Sequence, residues 1–242
     1  MKPTREQAYE LLTEFNDSGA LIAHALAVEG AMRRFARLLG EDEEKWGAVG
    51  LLHDLDYQMY PDEHCKKSAE LMTERGIDAE YVRAVCSHGY GICSDVEPVH
   101  IMEKVLFTID ELTGLINASV LMRPDRSVHT LEFKSLNKKY KTPSFAAGVD
   151  RGLIERGARS LAAERPEMTF EYICVETIAG MREVADRIGL GGVTVEQKPC
   201  RKNAGRTHAG RLCAGRTDRR DPAERAETGQ IYRTRGQLGH KR

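Results

Sequence analysis

Long apolar runs are missing from this 242-residue chain. None approaches the roughly 18–20 residues of a membrane-spanning helix, so no membrane partner is expected. The first residues, MKPTREQAYELL, hold no apolar secretory segment. The six cysteines stand at 65, 86, 93, 174, 200 and 213, with no CxxC spacing and no even framework. That pattern argues against a zinc ribbon and against a disulfide scaffold, and it fits reduced thiols in a cytoplasmic protein. Aromatic residues make up only 6%, and no stretch alternates clearly between apolar and polar residues. Strands, which favour aromatic and β-branched residues, therefore have few candidates.

The net charge of −1 conceals two kinds of chain. Residues 193–242 carry 13 Lys and Arg against 5 Asp and Glu, whereas residues 1–192 carry 23 against 32. The basic segment repeats Ala-Gly-Arg from positions 204, 209 and 214 and has few, isolated apolar residues. Such a segment cannot bury enough surface to offset its ordering entropy. The expectation is one domain over residues 1–190, followed by a disordered Gly/Arg-rich tail over 191–242. The tail is either without a specific task or an arm attracted to nucleic acid or another polyanion.

The first 190 residues read as successive helices. Thr4 to Gln7 has the capping-box pattern and opens a helix to about Phe15. Leu21, Ala25, Val28, Met32, Phe35 and Leu39 recur at three- and four-residue steps, and Gly40 suits the helix end. Asp42 caps a third helix that ends at His53-Asp54. A fourth is expected over about 62–75, a fifth from Asp78, and a long sixth after Pro98 through Ile101, Val105, Ile109, Leu112 and Ile116. Two more fit about 150–164 and 167–188. The fold class expected from this pattern is all-α.

Several titratable residues stand out on otherwise apolar faces: His24 in LIAHALAV, His53 and Asp54 in GLLHDLDY, His88 in VRAVCSHG and Asp110 in VLFTIDELTG. His64 follows Asp54 by ten residues. Singly, each has an ordinary reading: a hydrogen-bonded core histidine, a capping acid, a solvated helix start. Divalent metals, however, need imidazoles and carboxylates converging from several elements, and His…His-Asp…Asp on consecutive helices supplies that set.

With these segments, and with EHCKKSAELM, TIDELTGLINASVLMRP and KSLNKKYKTPSFAAGVDR, the chain resembles the HD-domain superfamily of metal-dependent phosphohydrolases. It is most similar to small HD domain-containing, HDIG-type proteins. The resemblance spans about residues 3–188 and implies an HD-domain helical bundle. It also implies that His24, His53, Asp54 and Asp110 are the core metal ligands, with His64 and His88 holding a second metal. Asp54, with two oxygens, is the natural bridge. Two such cations can lower the pKa of a shared water and clamp a phosphoryl displacement. Three or more imidazoles suit Mn, Fe, Co, Ni or Zn better than Mg. Asp56 is either a catalytic general base or an acid that supports the metal ligands from behind, or else a loop-capping acid.

The function so implied is hydrolysis of a nucleotide or another small phosphate ester. Cations are then needed for phosphate oxygens, and Arg123, Lys134, Lys138 and Lys139 form a basic island in an acidic domain. The same residues also read as a solvated basic face. Tyr57, Tyr60 and Tyr90 could stack on a base or simply pack. Two other functions stay open: a non-catalytic module that binds metal or nucleotide, and a di-iron oxygenase on the same scaffold. Tyr57 counts against the oxygenase, since those enzymes use a Lys at that place.

Overall fold

A computed structural model of the chain describes residues 1–192. Among these the architecture is all-α, with nine α-helices, one 3-10 turn and no strand beyond isolated bridges. The helices are α1 (Arg5–Phe15), α2 (Gly19–Leu39), α3 (Glu43–Leu52), α4 (Lys66–Glu74), α5 (Ala79–Ser87), α6 (Ile101–Leu121), α7 (Phe133–Tyr140), α8 (Arg151–Glu164) and α9 (Phe170–Glu183). No helix among the described residues is long and apolar enough to cross a membrane. The Ala-Gly-Arg repeats and the proposed polyanion contact lie outside the described residues.

Local chemistry explains most boundaries. Thr4 and Gln7 form the reciprocal capping box of α1, and Asp42 accepts from the Lys45 amide at the start of α3. Gly40 ends α2 in the left-handed region at φ 69°, which a residue without Cβ adopts cheaply. His100 caps α6 through Nδ1, which accepts from the Met102 amide.

One expected helix is divided. The segment read as 62–75 opens with a 3-10 turn, Pro61–Glu63, and α4 starts only at Lys66. Cys65 between them has φ 66°, which an α-helix cannot propagate. His64 is thereby released from any helix face. The last helix is also shorter than 167–188, since Thr169 caps it and Val184 leaves helical geometry.

α2 is the hub, packing on α3, α6 and α9. A continuous apolar core runs from Ala8 to Leu190 and includes Phe35, Trp46, Leu52, Leu106, Ile109 and Ile178. At the α2–α9 crossing the helices meet backbone to backbone. A Cβ on Gly180 would lie 2.6 Å from the Ala31 Cα and from the Gly30 carbonyl oxygen. α2 also packs directly on α6, and those two helices carry His24 and Asp110.

Candidate metal centre

Seven titratable side chains meet at the junction of α2, α3, α6 and the starts and ends of α4 and α5. His24, His53, Asp54, Asp56, His64, His88 and Asp110 are all at most 7% exposed. Burying an unpaired charge costs several kcal/mol even after relaxation. A cluster of this size inside an apolar core therefore calls for a function or a bound cation.

The four histidines share one arrangement. Each turns Nε2 inward and ties Nδ1 to the surrounding protein. The His53 Nδ1–H donates to the Gly50 carbonyl at 2.8 Å, and that of His88 to the Val85 carbonyl at 2.5 Å. Both are bonds back into the preceding turn, available because each histidine is a helix C-cap. The His64 Nδ1–H donates to Asp56 Oδ1 at 2.7 Å. His24 Nδ1 reaches Thr113 Oγ1 at 3.5 Å, and that hydroxyl donates to the Asp110 main-chain carbonyl at 2.7 Å. Anchored Nδ1 atoms select the tautomer that leaves Nε2 as a lone-pair donor, the usual arrangement around a metal.

The inward atoms fall into two groups sharing Asp54. In the first, His24 Nε2 lies 3.1 Å from His53 Nε2 and 3.0 Å from Asp110 Oδ1. His53 Nε2 is 3.4 Å from the same oxygen, and Asp54 Oδ2 stands 3.6 Å from His24 and 3.3 Å from His53. In the second, His64 and His88 Nε2 are 3.1 Å apart, and each is 3.5 Å from Asp54 Oδ1. Ligands bonded to one cation at about 2.0–2.2 Å lie about 2.8–3.6 Å from one another in octahedral or tetrahedral geometry. Both groups have that spacing. The donor set fits a divalent metal in each, with Asp54 offering one oxygen to either side.

The electrostatics of the protein alone point the same way. Burial lowers the pKa of His53, but Asp54 and Asp110 outweigh it and push the imidazole up to about 10. Burial wins at His24, against Asp110, and lowers its pKa. At His64 burial is outweighed by the Asp56 hydrogen bond and by Asp54, and the pKa rises. The carboxylates thus draw positive charge into the centre.

Of the readings open for Asp56, the structure favours the acid behind a ligand, which also caps a helix, over the general base. It is fully buried behind His64, with Oδ1 accepting from His64 and Oδ2 accepting from the Ser68 amide at 2.8 Å. It positions His64 and caps the first turn of α4. The anticipated cations lie elsewhere. Arg123 is bonded to Asp125 and Thr130. Lys139 donates to the Ser119 carbonyl, nine residues beyond Asp110 and so about 13 Å along α6. Lys134 and Lys138 are exposed on α7. None of the four lines the opening of the centre.

That opening is bordered by Tyr57, His64, His88, Phe107, Glu111 and Leu153, and its free volume is about 30 Å³, room for roughly one water. Phe107 also borders an adjoining cavity of about 180 Å³ with Tyr90, Pro98, Lys104 and Arg156. Arg156 stacks its guanidinium 5.5 Å from the Phe107 ring centroid. Tyr57 packs edge-on against His64, and Tyr60 lies under Lys67. Glu111, Thr113 and Arg156 escaped the sequence reading. Glu111 carried the same signal as Asp110, an acid within an apolar helix.

Residues 21–115 match the family model of the HD domain. No curated protein and no solved structure matches the chain. The matched segment contains all six inward-facing residues, from His24 to Asp110, and is an HD domain, the domain of a superfamily of metal-dependent phosphohydrolases.

Proposed function

We propose that the protein hydrolyses a small phosphate ester, a nucleotide or a similar phosphomonoester or phosphodiester, at a centre of two divalent metals. The observation that carries this reading is the placement of the two Asp54 oxygens. One faces the Nε2 atoms of His24 and His53, the other those of His64 and His88. Asp110 completes the first group. Bound metals of the Mn, Fe, Co, Ni or Zn type would supply Lewis acidity, lowering the pKa of water and neutralising phosphate charge.

The chain's own residues do the rest. The Nδ1 anchors hold the imidazoles at fixed angles, so little reorganisation is needed when substrate arrives. Phe107 and Leu153 narrow the opening and limit bulk water. Glu111, nearly buried at that opening with Oε2 accepting from the Asp150 amide, is the carboxylate we assign to take up a proton released near the centre. Arg156 is a cation on the same side and suits a phosphate oxygen or other anionic group of the substrate. Tyr90 and Phe107 offer flat surfaces for an aromatic portion.

The test is metal analysis of the chain, followed by a screen of phosphomonoesters, phosphodiesters and nucleotides with Mn, Fe, Co, Ni or Zn. Release of phosphate or nucleoside product that depends on Asp54 supports the reading. Two bound metals with no turnover on any class would leave a metal-binding module. Iron with oxygen consumption would point to an oxygenase.

A further inference from the structure

Beside the opening two thiols approach each other, and one of them, Cys65, stands close enough to His64 and His88 for its sulfur to join them around a cation. Cys65 Sγ and Cys93 Sγ lie 3.4 Å apart. Cys65 is almost fully buried, whereas Cys93 is half-buried and borders the opening itself. The pair is distant in sequence and is brought together by two features. Cys65 adopts φ 66°, an uncommon conformation for a residue with a side chain. Gly89 has no side chain, and a Cβ there would lie 2.5 Å from the Cys93 sulfur and 2.6 Å from that of Cys65. The missing Cβ makes the room in which both sulfurs sit. Cys86 is a buried neighbour, its thiol directed at the Cys65 carbonyl at 3.5 Å, and Cys174 lies in α9.

We propose that Cys65 and Cys93 are an oxidant-sensitive dithiol that closes to a disulfide at the mouth of the centre when a hydroperoxide reaches Cys93. The half-buried Cys93 sulfur attacks the outer oxygen of the peroxide. The O–O bond breaks, the departing oxygen takes the thiol proton, and with hydrogen peroxide as oxidant one water leaves. Cys93 is then a sulfenic acid. The Cys65 sulfur attacks the oxidised sulfur, the S–O bond breaks, and the hydroxide takes the Cys65 proton as a second water. Two thiols are oxidised by two electrons and one peroxide is reduced. The sulfurs need to close from 3.4 Å to about 2 Å, a shift within reach of side-chain rotation. The new bond would join the residue after His64 to the turn that follows His88. The site stands on its own geometry and does not depend on the hydrolase reading.

The experiment treats the reduced full-length chain with hydrogen peroxide, alkylates the remaining thiols and maps the peptides by mass. The expected result is joint loss of alkylation at Cys65 and Cys93. They appear as one cross-linked peptide pair, two hydrogens lighter than the reduced peptides, while Cys86 and Cys174 remain alkylated. Cys86→Ser should keep the cross-link, and Cys93→Ser should abolish it and leave Cys65 alkylatable. Gly89→Ala should slow it by forcing the sulfurs apart. The proposal is overturned if Cys65 and Cys93 stay alkylated while other thiols react. It is equally overturned if Cys93 becomes sulfinic acid without a cross-link, or pairs with Cys86, Cys200 or Cys213. The readout needs neither turnover nor bound metal, so its outcome is separate from that of the phosphoester screen.

Discussion

Asp56 lies behind His64, accepting the imidazole Nδ1–H at 2.7 Å while its other oxygen accepts from the Ser68 amide. The carboxylate therefore orients His64 and makes Nε2 a better donor, as carboxylates behind metal-bound histidines do. Replacing it by Asn keeps an acceptor but removes the charge. Asp56→Asn is expected to weaken the metal held by His64 and His88 by about 10- to 100-fold, with the other metal retained. Titration with manganese, followed by calorimetry, checks this. Two unchanged binding steps would show that Asp56 serves only to cap α4.

On the proposed two-metal reading, the shared position of Asp54 implies a stoichiometry. Wild type is expected to bind about two metals per chain, His88→Ala about one, and Asp54→Ala less than one. The His24, His53 and Asp110 group survives the His88 substitution because none of its contacts involves that ring's nitrogen. Metal content after gel filtration measures all three. A wild type that holds one metal, unaffected by His88→Ala, would make the centre mononuclear.

Proton and metal compete at His53. Its pKa stands at about 10 in the metal-free fold, against an ordinary 6.5, because Asp54 and Asp110 outweigh burial. Metal binding must expel that proton, so between pH 6.5 and about 10 affinity should rise about 10-fold per pH unit for each proton released. The same shift acts on stability with a definite sign. A raised pKa stabilises the metal-free fold fully below pH 6.5, and this stabilisation is lost as pH rises through about 10. His24, lowered by burial, works the other way, costing stability only as pH falls below 6.5. The metal-free protein should thus melt at progressively lower temperature from pH 7 to 10. Calorimetry in buffers of different ionisation enthalpy counts the protons. Release of none between pH 7 and 9 would contradict the assignment.

Away from the centre, Gly180→Ala tests the α2–α9 contact. The exchange favours helix formation by about 1 kcal/mol, yet the new Cβ would meet backbone atoms of Gly30 and Ala31 that cannot swing aside. Overpacking should prevail, with a net loss of about 1–2 kcal/mol in denaturant unfolding. A stabilised variant would show that the crossing is looser than the structure has it.

Much was legible in the sequence because it is local. Helix periodicity, the caps at Thr4 and Asp42 and the stop at Gly40 depend on residues within a turn or two of each other, and the observed elements follow them. The inward-facing residues were legible for a related reason. A polar side chain on an apolar helix face must turn towards the core, and His24, His53, Asp54 and Asp110 each carried that mark.

What lay beyond reach depended on how those faces meet. Asp56 is only two residues from Asp54, but a turn of chain after α3 sends one carboxylate to the centre and the other behind His64. Lys139 and Arg123 look suited to an anion in sequence, yet α7 and the end of α6 lie turns away from Asp110. Cys93 reaches the opening, and Arg156 on α8 the cavity beside it, and the periodicity of neither segment names that destination. Periodicity states which side of a helix is buried. It does not state which residue of another helix that side will touch, because that is decided by packing between segments far apart in the chain, such as the contact that sets Gly180 against Gly30.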